Sequence, residues 1–266
     1  MRAGTARKGI VSNTIIYPYP HERSSGLSEN PLLPHSKLRE LHALMQRCRA
    51  LERKQKSDGS VREALLAATM IHLLPGDLLS ACRGDQVAEK LAPAGKNSRA
   101  GGSLIGASAL DARLRLCAAA ARGLQASGTE GVVLAFARAG GVERGWMDAL
   151  KWAQQSQLPL FVACSDATNG APSHSGKNAE RPLDFVTMSR FAKRLKLPVL
   201  TVDGEDAVAV YRVMQESVLR ARLGGGPAVL WAVMTPTRSV ATMRPSSLPI
   251  ARLRSYLAAR KIPLNP

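Results

Sequence analysis

Gly131-Val132-Val133-Leu134-Ala135-Phe136-Ala137 runs directly into Arg138-Ala139-Gly140-Gly141-Val142-Glu143-Arg144-Gly145, and a helical pattern over 143–156 follows. Seven residues without a polar side chain are too few for a buried helix and suit a strand covered on both faces. The same arrangement recurs downstream. Apolar runs at 158–164, 198–202 and 227–233 alternate with helical patterns at 184–196 and 205–222. Strand, helix, strand, helix with continuously apolar strands predicts an α/β fold: a mainly parallel sheet with helices on both faces. Right-handed crossovers then bring the strand C-termini to one edge, where such sheets bind ligands.

Working back toward the N-terminus, the Ala-rich stretch 109–126 reads as a helix, and 84–103 reads as loop, with Gly95, Asn97, Gly101 and Gly102. A helix is expected over 60–74, closed by Pro75-Gly76-Asp77. Another is expected over 36–56, where Leu38, Leu41, Leu44, Met45, Cys48 and Leu51 recur at three- and four-residue steps. Residues 1–35 hold Pro, Ser, Gly and basic residues without a period and read as a flexible basic arm, leaving 36–262 as one domain.

The 266 residues are 45% apolar and 21% charged, which excludes a disordered chain. No apolar run approaches the ~18 residues of a membrane span. The four cysteines have no CxxC spacing and no histidine partner, so zinc is not expected and a reducing, cytoplasmic setting is. The N-terminal stretch makes a poor secretory signal, since polar residues and Pro18 interrupt it, and an organellar transit segment is the minor alternative. The formal charge of +17 raises the question of nucleic acid. With 4% aromatics, no recognition motif and basic residues spread along the chain, nucleic acid is not the expected partner.

Two loops leave the ligand edge first: 138–145, and the long polar stretch 165–182. A glycine-bearing turn before a helix can cradle phosphate on its N–H groups, but neither loop fits GxGxxG or GxxxxGK[ST], so an ordinary surface turn has the greater weight. His174 is an exposed loop residue by default, and His42 and His72 fall in helices as packing or surface positions.

Taken together, these segments resemble the alpha subunit of the thiamine-diphosphate-dependent 2-oxo acid dehydrogenases, the E1 component of pyruvate and branched-chain complexes. The helix 38–52 resembles that family's first helix. Arg62-Glu63-Ala64 with Leu74-Pro75-Gly76-Asp77 resembles its "QEA … L-x-PGD", and Cys82-Arg83-Gly84-Asp85 falls at its Tyr-Arg-Asp-His. Leu104-Ile105-Gly106-Ala107 is similar to "IVGA", and residues 136–153 align without a gap to the strand–GDGA–helix segment. Val202-Asp203-Gly204-Glu205-Asp206 resembles "VDGND", and Pro249 to Leu257 resembles "DPL-x-RLR-x-YL".

The resemblance implies a thiamine-diphosphate-binding domain at 36–262, with Arg83, Ile105, Gly106, Arg138, Glu143 and Asp166 as its cofactor-binding positions. It also implies an E1 beta-like partner or a homo-oligomer, with a 2-oxo acid as substrate only if the chain is active. In the family an Asp of GDG, and an Asn one βα unit later, hold a divalent cation on the diphosphate. Here Arg138 stands at that Asp, and Ser165-Asp166-Ala167 at the Asn segment. A guanidinium is only a donor and cannot ligate Mg²⁺, so Mg²⁺ is not expected. Three outcomes stay open, the first with most weight: a non-catalytic relative, a cofactor held with Arg138 on its phosphate, or a remainder covering a metal moved to Asp166 and Glu143 or an unrelated use of the fold. The late loop 235–247 also lacks the family's His and acidic residues, offering Arg238 and Arg244. On the non-catalytic reading, the first helix and the small residues Ala118 to Ala121 mediate association; internal packing explains the alanines equally well.

Overall fold

The computed structural model describes residues 33–54, 61–82, 85–91, 102–103, 112–141, 145–168, 183–236 and 243–264. The apolar run of 131–137 becomes strand β3 (Val133–Arg138), near the centre of a six-stranded sheet. Its companions are β1 (Leu78–Ser80), β2 (Gly102–Ser103), β4 (Leu160–Asp166), β5 (Val199–Asp203) and β6 (Ala228–Val233). The order is β2-β1-β3-β4-β6-β5 and every pairing is parallel. The helices are α1 (His35–Lys54), α2 (Glu63–Met70), α3 (Gln86–Leu91), α4 (Arg113–Ala126), α5 (Trp146–Gln155), α6 (Phe185–Leu195), α7 (Ala207–Arg222) and α8 (Pro249–Ala259).

Successive strand residues point to opposite faces, and the two faces have separate cores. Leu134, Phe136, Phe161 and Leu230 pack with α1, α2, α7 and α8. Val133, Ala135, Val162 and Trp231 pack with α4, α5 and α6. Both faces are therefore covered, as continuously apolar strands require. All eight residues of α2 are buried, and α1 and α8 form an outer layer beyond it. In α4, Ala118 and Ala121 pack into the core while Ala119 is exposed. For that pair, internal packing explains the small residues.

The N-terminal edge of the sheet is stapled by Asp77, which is 3% exposed. Its carboxylate accepts from the N–H groups of Leu74 and Val132 and from the Arg222 guanidinium at the end of α7. Turn, strand and helix thus meet on one buried charge with every oxygen engaged.

Two sequence expectations need correction. The stretch 84–103 is not wholly loop: α3 forms behind Asp85, which accepts from the Ala88 N–H, and β2 pairs with β1. The helix expected over 60–74 spans only Glu63–Met70, because Leu73 and Leu74 enter the turn that Asp77 closes. The arm, up to residue 32, lies outside the described residues.

Candidate functional site

At the C-terminal edge, β3 ends on Arg138 and the neighbouring β4 ends on Asp166, with Arg138 in register with Ser165. The structure thus puts these two expected site residues at adjacent strand ends. Arg83, Ile105, Gly106 and Glu143 lie outside the described residues, as do His174 and Arg238.

The Arg138 side chain is 42% exposed, and its Nη2 lies 3.9 Å from Oδ2 of Asp85. Asp85 itself is 1% exposed at the side chain and is held by both terminal nitrogens of the Arg62 guanidinium. Burial opposes the charge on Arg62, but the charge of Asp85 and its hydrogen bonds outweigh burial and raise the Arg62 pKa. Asp85 therefore serves two guanidiniums while capping α3. The residue expected at the site from this segment, Arg83, lies outside the described residues. An Asp immediately before the short apolar pattern of 86–91 is a helix-start signal that could have drawn attention to Asp85.

Asp166 is 8% exposed. Its Oδ1 accepts from the N–H and the hydroxyl of Thr168, and its Oδ2 accepts from the Trp231 indole at 2.9 Å. The backbone of the first loop is similarly engaged. Ala139 N–H donates to Ser165 O at 2.9 Å, Gly140 N–H to Leu183 O at 2.8 Å, and Gly141 N–H to Arg138 O at 3.2 Å. A phosphate cradle needs N–H groups directed at the ligand, and these three are directed at protein carbonyls. On α4, buried Arg113 joins β1 to β3 by donating to Ser80 O, Ser80 Oγ and Phe136 O.

The metal and diphosphate implied by the sequence resemblance can be tested against these atoms. Mg²⁺ takes oxygen ligands in near-octahedral geometry. Arg138 supplies no acceptor, and the Asp166 oxygens already receive three donors. Among the described residues, no group of three or more His, Cys, Asp or Glu side chains could hold a metal ion. The described residues do not fit the metal-bound diphosphate.

Below Arg62 lie two further acids. Glu63 is fully buried, neither of its carboxylate oxygens makes a hydrogen bond, and Arg49 Nη2 stands 3.2 Å from Oε1. Burial raises its pKa, against the charge of Arg49. Glu52 at the end of α1 is pushed up to about 7 by burial and then by the charge of Glu63. Burial also pushes the neighbouring Cys48 thiol up, so it is an inert packed sulfur. At the opposite edge, His72 stacks on Tyr211 and contacts its carbonyl; burial lowers its pKa to about 4.

At the junction of β5 with α7, each residue of Asp203-Gly204-Glu205-Asp206 has a structural task. Asp203 accepts from Glu205 N–H, and Glu205 accepts from Thr235 N–H at 2.7 Å. Asp206 caps α7 through Val208 and Ala209 N–H. Gly204 has no room for a Cβ beneath Met234 and Ala232.

A fully parallel sheet with helices on both faces, and with its candidate loops at the strand C-termini, defines the class as a doubly covered α/β domain. The sequence pattern of the dehydrogenase E1 component matches residues 95–235. The chain belongs to the dehydrogenase E1 component family. No curated protein matches the sequence. Among solved structures it is similar to a thiamin diphosphate-dependent enzyme from Mycobacterium smegmatis, at 14% identity and a TM-score of 0.44, covering 75% of this chain and 31% of that one. It is also similar to benzoylformate decarboxylase from Polynucleobacter necessarius, at 13% identity and 0.45, covering 66% and 32%. The chain spans about a third of the length of each of these proteins. No described helix is long and apolar enough to cross a membrane.

Proposed function

We propose that this chain is an E1 alpha-like subunit that keeps the family's fold but has lost the metal-dependent cofactor site, and that it acts as a non-catalytic subunit. The observation that carries the reading is the commitment of the Asp166 carboxylate to Thr168 and Trp231, one strand from Arg138. On the resemblance a cation stands where the family has a ligating acid, and the described acids beside it, Asp85 and Asp166, are both held by protein donors. Its partner on this reading is an E1 beta-like chain or a second copy, and four buried free thiols suit a reducing compartment.

Calorimetric titration with thiamine diphosphate, with and without Mg²⁺, tests the proposal. The expected outcome is no saturable binding at ~1 mM ligand, which corresponds to less than about 4 kcal/mol of binding free energy. Binding at micromolar concentration that requires Mg²⁺ refutes the proposal.

A second reading keeps a cofactor without metal, with Arg138 as the phosphate partner. It is favoured by the exposure of Arg138 at the ligand edge while Asp85 holds it. Binding that is unchanged by chelator and lost in Arg138→Ala supports this reading over the first.

A further inference from the structure

The sequence leaves the charge of +17 without an address; the structure concentrates much of it in the outer layer formed by α1 and α8. Helix α1 carries six Lys and Arg against two Glu, and residues 243–264 carry five against no acid. Of the two Glu, Glu52 is buried and Glu40 pairs with Lys37. Arg49 and Arg252 are engaged by Glu63, Asp203 and Asp206. The others differ. Among the described residues, Arg39, Arg47, Arg53, Lys54, Arg254 and Arg260 have no acidic side chain within ion-pair distance. The two helices are joined where Arg254 Nε donates to His42 Nε2 at 3.1 Å, and Arg260 lies over the Tyr256 ring, 4.5 Å from its centroid. These contacts order two guanidiniums without neutralising them.

The chemistry of the layer selects among anionic partners. None of the exposed large apolar residues lies on α1 or α8, since their apolar stripes are turned onto α2 and the core. A membrane-surface helix needs an apolar face to insert, and a protein interface needs apolar or aromatic anchors at its centre. Neither helix exposes a large apolar side chain, and the half-buried Tyr256 ring is covered by Arg260. The layer offers mainly guanidiniums, which pair with phosphate in a bidentate fork, along a helix of ~30 Å, the span of about nine base pairs.

We infer that the α1–α8 layer is a docking surface for the phosphate backbone of duplex nucleic acid, read without regard to base sequence. This role is independent of the cofactor question, because none of the six cations belongs to the Arg138 edge.

The test uses the full-length chain and a fluorescein-labelled 24-base-pair DNA duplex, with anisotropy followed over a range of NaCl concentrations. The fit of log K against log salt should have a slope no steeper than about −5, at roughly −0.9 per phosphate contacted. Arg39→Gln/Arg47→Gln/Arg53→Gln should weaken binding at low salt by ~10-fold or more and flatten the slope by two to three. Arg254→Gln/Arg260→Gln should act in the same direction, with melting curves confirming that both variants are folded. Lys193→Gln/Arg194→Gln on α6, across the sheet, should change affinity less than ~3-fold.

An equal loss in the α6 variant overturns the inference, since binding then follows bulk charge. Binding that survives both α1 and α8 substitutions unchanged also overturns it, as does failure to bind at ~10 µM chain and low salt. Poly-glutamate competing as well as DNA, charge for charge, would assign the layer to an acidic protein. Stronger binding to phosphatidylserine vesicles would assign it to a membrane surface. Either result overturns the inference.

Discussion

Two junctions on the same edge of the sheet, β5 to α7 and β3 to α5, have been treated differently in this chain. At the first, Asp203, Gly204, Glu205 and Asp206 each hold backbone or close a tight contact, and the residues still match the pattern of the resembled family. At the second the strand and the helix persist, but Arg138 stands where the resembled pattern has an acid, and the N–H groups of Ala139, Gly140 and Gly141 go to protein carbonyls. On the proposed function, acids that maintain the fold are kept and the acid whose work would be with a ligand is replaced. The contrast separates structure from chemistry within one sheet edge.

The largest effect should come from removing the support beneath the altered junction. Arg62→Leu leaves Asp85 buried beside only the distant Arg138, and breaking such a pair costs about 3–5 kcal/mol. Urea denaturation measures it; a loss below ~1 kcal/mol would mean that Arg138 alone suffices for Asp85.

The next effect is pH-dependent. Folding raises the Glu52 pKa from 4.5 to about 7, so the folded chain binds the proton more tightly than the unfolded one. The stabilisation linked to this proton is full below 4.5 and is lost as pH rises through 7. Glu52→Gln should therefore match the parent near pH 4.5 and exceed it by about 3 kcal/mol at pH 8. His72 acts oppositely, since its lowered pKa favours folding above 6.5 and weakens it as pH falls toward 4. The parent's own pH profile therefore mixes the two, and the comparison with the Gln variant isolates Glu52. Parallel profiles for the two proteins would remove Glu52 as the cause.

The smallest pair of effects bears directly on the two junctions. Asp206→Ala removes the α7 cap and should cost about 1 kcal/mol. Arg138→Ala should cost less than ~0.5 kcal/mol, because the side chain is well exposed and its acid is 3.9 Å away. Equal losses by thermal melting would erase the structural distinction between the junctions.

The strands that build the sheet were legible because β3, β4 and β6 are continuous apolar runs, and the alternation with α5, α6 and α7 fixes the parallel arrangement. Strand β1, with three residues, is too short to carry a period. Helix α3 hides among glycines and is six residues long. In the sequence α8 stands out as a family motif rather than as a helix, although Pro249 at its first turn and Leu253 and Leu257 four apart are helix signals. At the site, the positions of Arg138 and Asp166 follow from the βα repeat. Their partners do not, because Asp85 and Trp231 lie 53 and 65 residues away in the chain. No local pattern encodes a hydrogen bond between an indole and the end of a neighbouring strand. The contact comes from tertiary packing.

The proposed function requires that this edge holds no metal-bound diphosphate. Electron paramagnetic resonance of Mn²⁺, titrated with the full-length chain in the presence of thiamine diphosphate, tests it directly. The free-ion signal should be the same with and without protein, at Mn²⁺ up to ~1 mM. A protein-dependent loss of that signal which needs thiamine diphosphate and disappears on Asp166→Asn would contradict the account, since it would make Asp166 a ligand.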